Sequence, residues 1–226
     1  MAQVTACSEA CTDTKTGDHN APTRARGRPY GFFALLWVAV LATLAGAAEE
    51  ETSNPSVEIA TSVGTMTVEL WPEKAPLTVA NFLERVDEGF YDGLIFHRVI
   101  AGFVIQAGGF DAKMNYREAP ATVVNESSNG VSNLQWTIAM ARASDPDSAG
   151  AQFYINVSDN TNLDAAPGRP GYTVFGKLTA GEDVAGEIEF VATGVTAGMP
   201  DVPREPVTIL STRRVSGALS VAPVAD

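Results

Sequence analysis

The stretch Tyr91-Asp-Gly-Leu-Ile-Phe-His-Arg-Val-Ile-Ala-Gly-Phe-Val-Ile-Gln-Ala-Gly108 places one arginine, Arg98, and one glutamine, Gln106, among aliphatic residues, with Phe103 between them. The pattern reads as two short strands joined by an Ala-Gly turn at residues 101 and 102. No nucleophile, acidic pair or metal-ligand cluster accompanies these side chains. Such a set can grip an apolar ring and present hydrogen-bond donors, but it offers no route to covalent chemistry. It suits a catalyst that rotates a bond without breaking it.

The elements that must position these residues follow from the same pattern. Val57–Thr61 and Thr65–Leu70 alternate as a hairpin around Gly64. Pro72 and Pro76 interrupt the pattern. A helix then follows, with Thr78 as its expected N-cap and Val79, Phe82, Leu83 and Val86 on one face. Gly89 is its expected stop. Strand-like runs recur at 94–99, 103–106, 137–141, 152–157, 173–177 and 207–215, and a second helix fits 182–190 with Val184, Ala185 and Ile188 inward. Many short strands with only two helices predict an antiparallel barrel or sandwich, and no second domain or internal repeat is visible.

The chain has 226 residues, 45% of them hydrophobic and 19% charged, enough for one domain with a sizeable core. Its net charge of −12 argues against nucleic acid as a partner, because phosphate binding needs a basic surface. Arg24, Arg26 and Arg28 precede an uncharged apolar run from Gly31 to Ala48, which contains Ala45-Gly-Ala47 and is followed by Glu49-Glu-Glu51. Basic, apolar, then small is the order of a secretory signal peptide, and the long basic lead fits a start codon downstream of Met1. An uncleaved membrane anchor is the other reading of the same run, whose length approaches a span.

These features divide the chain into residues 1–47 as signal peptide or anchor, 48–55 as polar spacer, 56–215 as the folded domain and 216–226 as a small-residue tail. Either reading of the leader places the domain outside the cytoplasm. Cys7, Cys11 and His19 lie before the run, so a cleaved chain keeps no cysteine and only His97. Disulfides, thiol catalysis, histidine metal centres and Ser-His-Asp triads are then excluded. Strict alternation turns His97 away from Arg98, into the barrel, as a core histidine.

The block Phe96-His-Arg-Val-Ile-Ala-Gly-Phe-Val-Ile-Gln106 resembles the signature of the cyclophilin-type peptidyl-prolyl isomerases. The resemblance continues through Asn125-Glu-Ser-Ser-Asn-Gly130, Thr137-Ile-Ala-Met-Ala-Arg142, Ser148-Ala-Gly-Ala-Gln-Phe-Tyr-Ile-Asn156 and Gly171-Tyr-Thr-Val-Phe-Gly-Lys177, and so covers nearly all of 57–215. Its wording is most similar to the bacterial exported branch, which implies the periplasm as the expected location, released or tethered to the inner membrane, and gives the sequons at Asn125 and Asn156 no weight. The resemblance implies a mainly β fold, a closed eight-stranded antiparallel β-barrel capped by two α-helices, with the site in a groove on its outer face. It implies a catalytic pair, Arg98 and Gln106, and a substrate-binding set of Phe103, Val104, Ala141, Arg142, Tyr154, Leu163 and Tyr172. It also implies a monomer that needs no cofactor or metal and acts on unfolded or flexible proline-containing polypeptides.

Three positions depart from the family's usual wording. Asn162 stands where an aromatic residue commonly precedes the leucine, which implies a pocket short of one wall and weak binding of the cyclic peptide cyclosporin. Tyr172 stands where eukaryotic relatives carry histidine, and Ala101 where proline is frequent. Because Asn162 thins the pocket, a proline-binding chaperone or adaptor with little turnover is the competing expectation.

Overall fold

The computed structural model describes residues 54–215. The leader and the tail lie outside them. Eight antiparallel strands form one curled sheet: β1 (Ser56–Thr61), β2 (Gly64–Leu70), β3 (Leu94–Ile100), β4 (Val104–Asp111), β5 (Thr137–Met140), β6 (Phe153–Asn156), β7 (Val174–Ala180) and β10 (Ile209–Val215), in the order β10-β1-β2-β7-β5-β6-β4-β3. The sheet is less closed than expected. Its edge strands meet at the isolated Ile95–Thr208 bridge, with bonds from Gly93 N to the Ile209 carbonyl and from Phe96 N to the Val207 carbonyl, each 2.9 Å. A short hairpin of β8 (Thr193–Thr196) and β9 (Met199–Pro203), which the sequence pattern does not anticipate, forms a separate two-stranded sheet.

Helix α1 (Pro76–Asp87) begins two residues earlier than the expected cap, with Pro76 in its first turn. Proline is tolerated there because the first helical N–H groups have no intrahelical partner. Thr78 is therefore inside the helix. Its N–H and hydroxyl both donate to Glu126 Oε2, at 2.8 and 2.7 Å, and Leu77 N donates to Glu126 Oε1 at 3.1 Å. A carboxylate from a loop 48 residues away thus closes the positive end of the helix. Glu126→Ala is expected to cost about 1–2 kcal/mol of stability, read as a lower urea midpoint with unchanged slope. Gly89 follows the helix at φ +64°, as its role of C-terminal stop requires.

Helix α2 (Glu182–Glu189) buries Ala185 and Ile188, while Val184 is half-buried. Inside the barrel, Phe82 of α1 meets Tyr91, Phe153 and Phe175 with ring centroids 5.2–5.6 Å apart. A second apolar cluster is distinct from this core and sits on the outer face: Val104, Ala139, Tyr154 and Val174, flanked by Trp71, Phe103, Val131, Ala141, Leu163 and Tyr172. The pleat explains the pair of clusters. Ile105, Ile138, Phe153, Ile155 and Phe175 point inward, and their sequence neighbours point out.

Candidate active site

The hairpin of β3 and β4 positions the two polar groups. Arg98 pairs with Gln106, and Val99 with Ile105, but Phe96 pairs with Ala107, so His97 is an extra residue on β3. This bulge corrects the expectation that His97 points into the barrel. With strict alternation Phe96 and Arg98 would share a face; the inserted residue lets Phe96 fill the core while Arg98 turns outward. His97 is buried beside the site instead. Its ring lies 4.9 Å from that of Phe110, and it neighbours Gln152, whose Oε1 accepts from Gln106 Nε2 at 3.0 Å.

Burial holds the His97 pKa down at about 4, and the Arg98 charge pushes the same way, against weaker opposing effects of the Ile95 carbonyl and Gln152. The imidazole is therefore neutral in the folded protein and protonates on unfolding at any pH between about 4 and its ordinary value near 6.5. Its share of stability is complete above that ordinary value and is lost as pH falls through the window. The expected loss is on the order of 2–3 kcal/mol across the window, and His97→Gln should flatten that part of a urea-midpoint-versus-pH profile.

All nine residues expected from the sequence line one cavity of about 330 Å³: Arg98, Phe103, Val104, Gln106, Ala141, Arg142, Tyr154, Leu163 and Tyr172. Arg98 Nη1 donates to Gln106 Oε1 at 3.4 Å, and its guanidinium carbon is 6.0 Å from the centroid of Phe103. It forms no ion pair among the described residues, so its charge stays available to the groove. Gly102, at φ +70°, makes the turn that brings Phe103 back over β4. Tyr154, 4% exposed, floors the cavity and meets Tyr172 edge-on at 5.9 Å.

Arg142 is held differently from Arg98. Its Nε donates to the Gly171 carbonyl, Nη1 to Ala143 and Nη2 to Pro170, at 2.9–3.2 Å, and the guanidinium stacks 4.7 Å from the Tyr172 ring. With three of its donors engaged, this side chain fixes the Tyr172 wall. Asn162 is exposed and does not line the cavity; its carbonyl accepts from Arg169. Asn156 is fully buried, which rules out its sequon in the folded chain.

The sequence reading passed over Gln152. It fixes the Gln106 amide and, with Gln106, Ala141 and Arg142, lines an adjoining cavity of about 350 Å³. Its two-residue spacing from Tyr154 on the same side of the chain was the available signal. Among the described residues no group of three or more His, Cys, Asp or Glu side chains could hold a metal ion.

The sequence profile of the family described as cyclophilin type peptidyl-prolyl cis-trans isomerase/CLD matches residues 56–214. The chain belongs to the cyclophilin family. Two bacterial relatives are named peptidyl-prolyl cis-trans isomerases. The one from Acinetobacter baylyi is 46% identical over 159 residues, 70% of this chain and 85% of the relative. The one from Streptomyces antibioticus is 48% identical over 161 residues, 70% of this chain and 97% of the relative. Among solved structures, a Cryptosporidium parvum cyclophilin crystallised in the presence of the dipeptide Ala-Pro aligns with a TM-score of 0.59 at 26% identity, covering 72% of this chain and 99% of that one. The mainly β cyclophilin fold with two helices is thus established for this chain.

Proposed function

We propose that the chain is a peptidyl-prolyl cis-trans isomerase in which Arg98 stabilises the twisted X-Pro bond. Family membership supports the activity. The observation that carries the residue roles is a guanidinium without an acidic partner, opening on the same 330 Å³ cavity as Phe103, Val104, Tyr154 and Leu163.

Rotation about a peptide C–N bond faces a barrier of about 18–20 kcal/mol because amide resonance is lost at the twist. There the proline nitrogen becomes pyramidal and regains its lone pair. Arg98 donates to that lone pair, an interaction the planar ground state cannot make, so it favours the transition state selectively. The apolar walls hold the pyrrolidine ring. Gln106, with one N–H spent on Gln152, and the Arg142 backbone bind the neighbouring carbonyls, so that one side of the bond turns against a fixed other side. An acceleration of about 10⁵ requires about 7 kcal/mol, within reach of a few donors acting in a water-poor groove.

The substrates in this reading are flexible proline-containing chains, the class to which the Ala-Pro dipeptide beside the Cryptosporidium parvum relative belongs. The relatives named peptidyl-prolyl cis-trans isomerases favour turnover over the adaptor reading. The basic, apolar and small-residue order of the first 48 residues supports export to the periplasm. A protease-coupled proline-peptide assay tests the activity: the chain should accelerate cis-to-trans conversion at catalytic concentration. A rate equal to the spontaneous one would leave a binder only.

A further inference from the structure

We propose that Asn133 is a positioning residue of the isomerase site, tying the Tyr154 floor of the ring pocket to the turn that carries Leu163. The inference rests on the isomerase reading above. Asn133 is fully buried and lines no part of the cavity, yet its bonds run to the cavity's walls. Its Oδ1 accepts from the Tyr154 hydroxyl at 2.7 Å and from Asn156 Nδ2 at 3.3 Å. Its backbone N and Nδ2 both donate to Asp164 Oδ1, at 2.7 and 2.8 Å. Its carbonyl accepts from Asn160 N at 2.7 Å, and Asn160 Nδ2 in turn donates to the Phe103 carbonyl at 2.8 Å.

Three walls of the ring pocket are therefore referenced to one amide. Tyr154 is held through its hydroxyl, Leu163 through its neighbour Asp164, and Phe103 through Asn160. The task needs a side chain that accepts on one atom and donates on the other, because Tyr154 and Asn156 bring protons while Asp164 brings a carboxylate. Among side chains of this size only a primary amide supplies both. The bonds run to one pocket side chain, Tyr154, to the backbone of a second pocket residue, Phe103, and to the neighbour of a third, Leu163, so the network spans the ring seat.

The charged and titratable groups around Asn133 are Asp164 and Tyr154 in direct contact, Tyr172 and Arg142 beyond Tyr154, Arg169 at the Asp164 carbonyl, and Asp159 on Gln135 N. Asn133→Asp keeps the acceptor for Tyr154 but sets a carboxylate against that of Asp164. The clamp then holds only when a proton bridges the two acids. Tyr154→Phe removes one hydroxyl and leaves the ring in place.

Exchange NMR of an Ala-Pro-containing peptide with the full chain reads affinity and on-enzyme rotation rate in one sample. At about pH 7.5, Tyr154→Phe should weaken affinity by about three- to tenfold, the value of one buried hydrogen bond, with the loss falling more on affinity than on the rotation rate. Asn133→Asp should lose about tenfold or more at that pH and recover most of it at about pH 5.5, where the acid pair can hold a proton. A Tyr154→Phe chain that binds like wild type overturns the proposal. So does an Asn133→Asp deficit that stays constant with pH. A wild-type chain that binds the peptide but does not rotate it would sink the isomerase reading instead, while the affinities still decide the role of Asn133.

Discussion

Arg98→Ala should lower kcat/KM on a proline peptide by about 100- to 1,000-fold while peptide affinity changes by less than about tenfold, because the lost donor acts chiefly at the twisted state. The split follows from geometry. The ring seat is built from Phe103, Val104, Tyr154 and Leu163, which hold planar and twisted prolines alike and survive the substitution. The guanidinium lies at the mouth of that seat, 6.0 Å from the Phe103 centroid and bonded to Gln106. Arg98→Lys should recover little of the loss, since an ammonium on a flexible stem cannot reproduce a planar donor fixed against Gln106. Protease-coupled rates together with peptide titrations check both parts. A loss shared equally between affinity and turnover would mean that Arg98 only binds substrate.

Phe153→Ala should destabilise the folded chain by about 3–5 kcal/mol, measured by urea unfolding. Phe153 is fully buried at the centre of the barrel, with its ring edge-on to Phe82 at 5.6 Å, Tyr91 at 5.4 Å and Phe96 at 6.4 Å. Its truncation leaves a void bordered by helix α1, the turn at Tyr91 and strand β3, so collapse around it requires shifts in separate elements at once. Gln152 and Tyr154 flank it on the same stretch of chain and face the groove. The variant should therefore also bind proline peptide less tightly at temperatures where it remains folded, which links core packing to the site.

The barrel strands and the groove were largely legible in the sequence, for different reasons. β1 and β2 alternate because one face is buried, and their boundaries fall within a residue of the expected ones. β4, β5 and β6 carry apolar residues on both faces, so periodicity alone leaves their orientation open. The nine residues now gathered around one cavity were placed by the family-like wording of 96–106, 137–142, 148–156, 162–164 and 171–177. Without that wording Tyr154 reads as one more core aromatic.

What escaped the sequence has local physical causes. The bulge at His97 leaves the count of apolar residues unchanged and shows only as broken pairing between β3 and β4. The cap of α1 comes from Glu126, a long-range partner that no window around Pro76 contains. The β8–β9 hairpin lies in a run of Thr, Gly and Pro whose only firm turn signal is Ala197-Gly198, both at positive φ. The Asn133, Asn156 and Asn160 network is invisible in one dimension because asparagine is ordinarily a turn residue, and its partners are set by tertiary structure alone.

The sparse seam between β3 and β10 bears on how the molecule breathes. A full ladder would make opening there as costly as global unfolding, whereas an isolated bridge makes it a low-energy excursion. Amide hydrogens along Gly93–Phe96 thus belong to the first barrel protons exposed to solvent exchange, while those shared by β1 and β2 wait for the whole barrel to come apart. Since Arg98 rides on the same strand, the protein carries its key cation on the staves that loosen earliest.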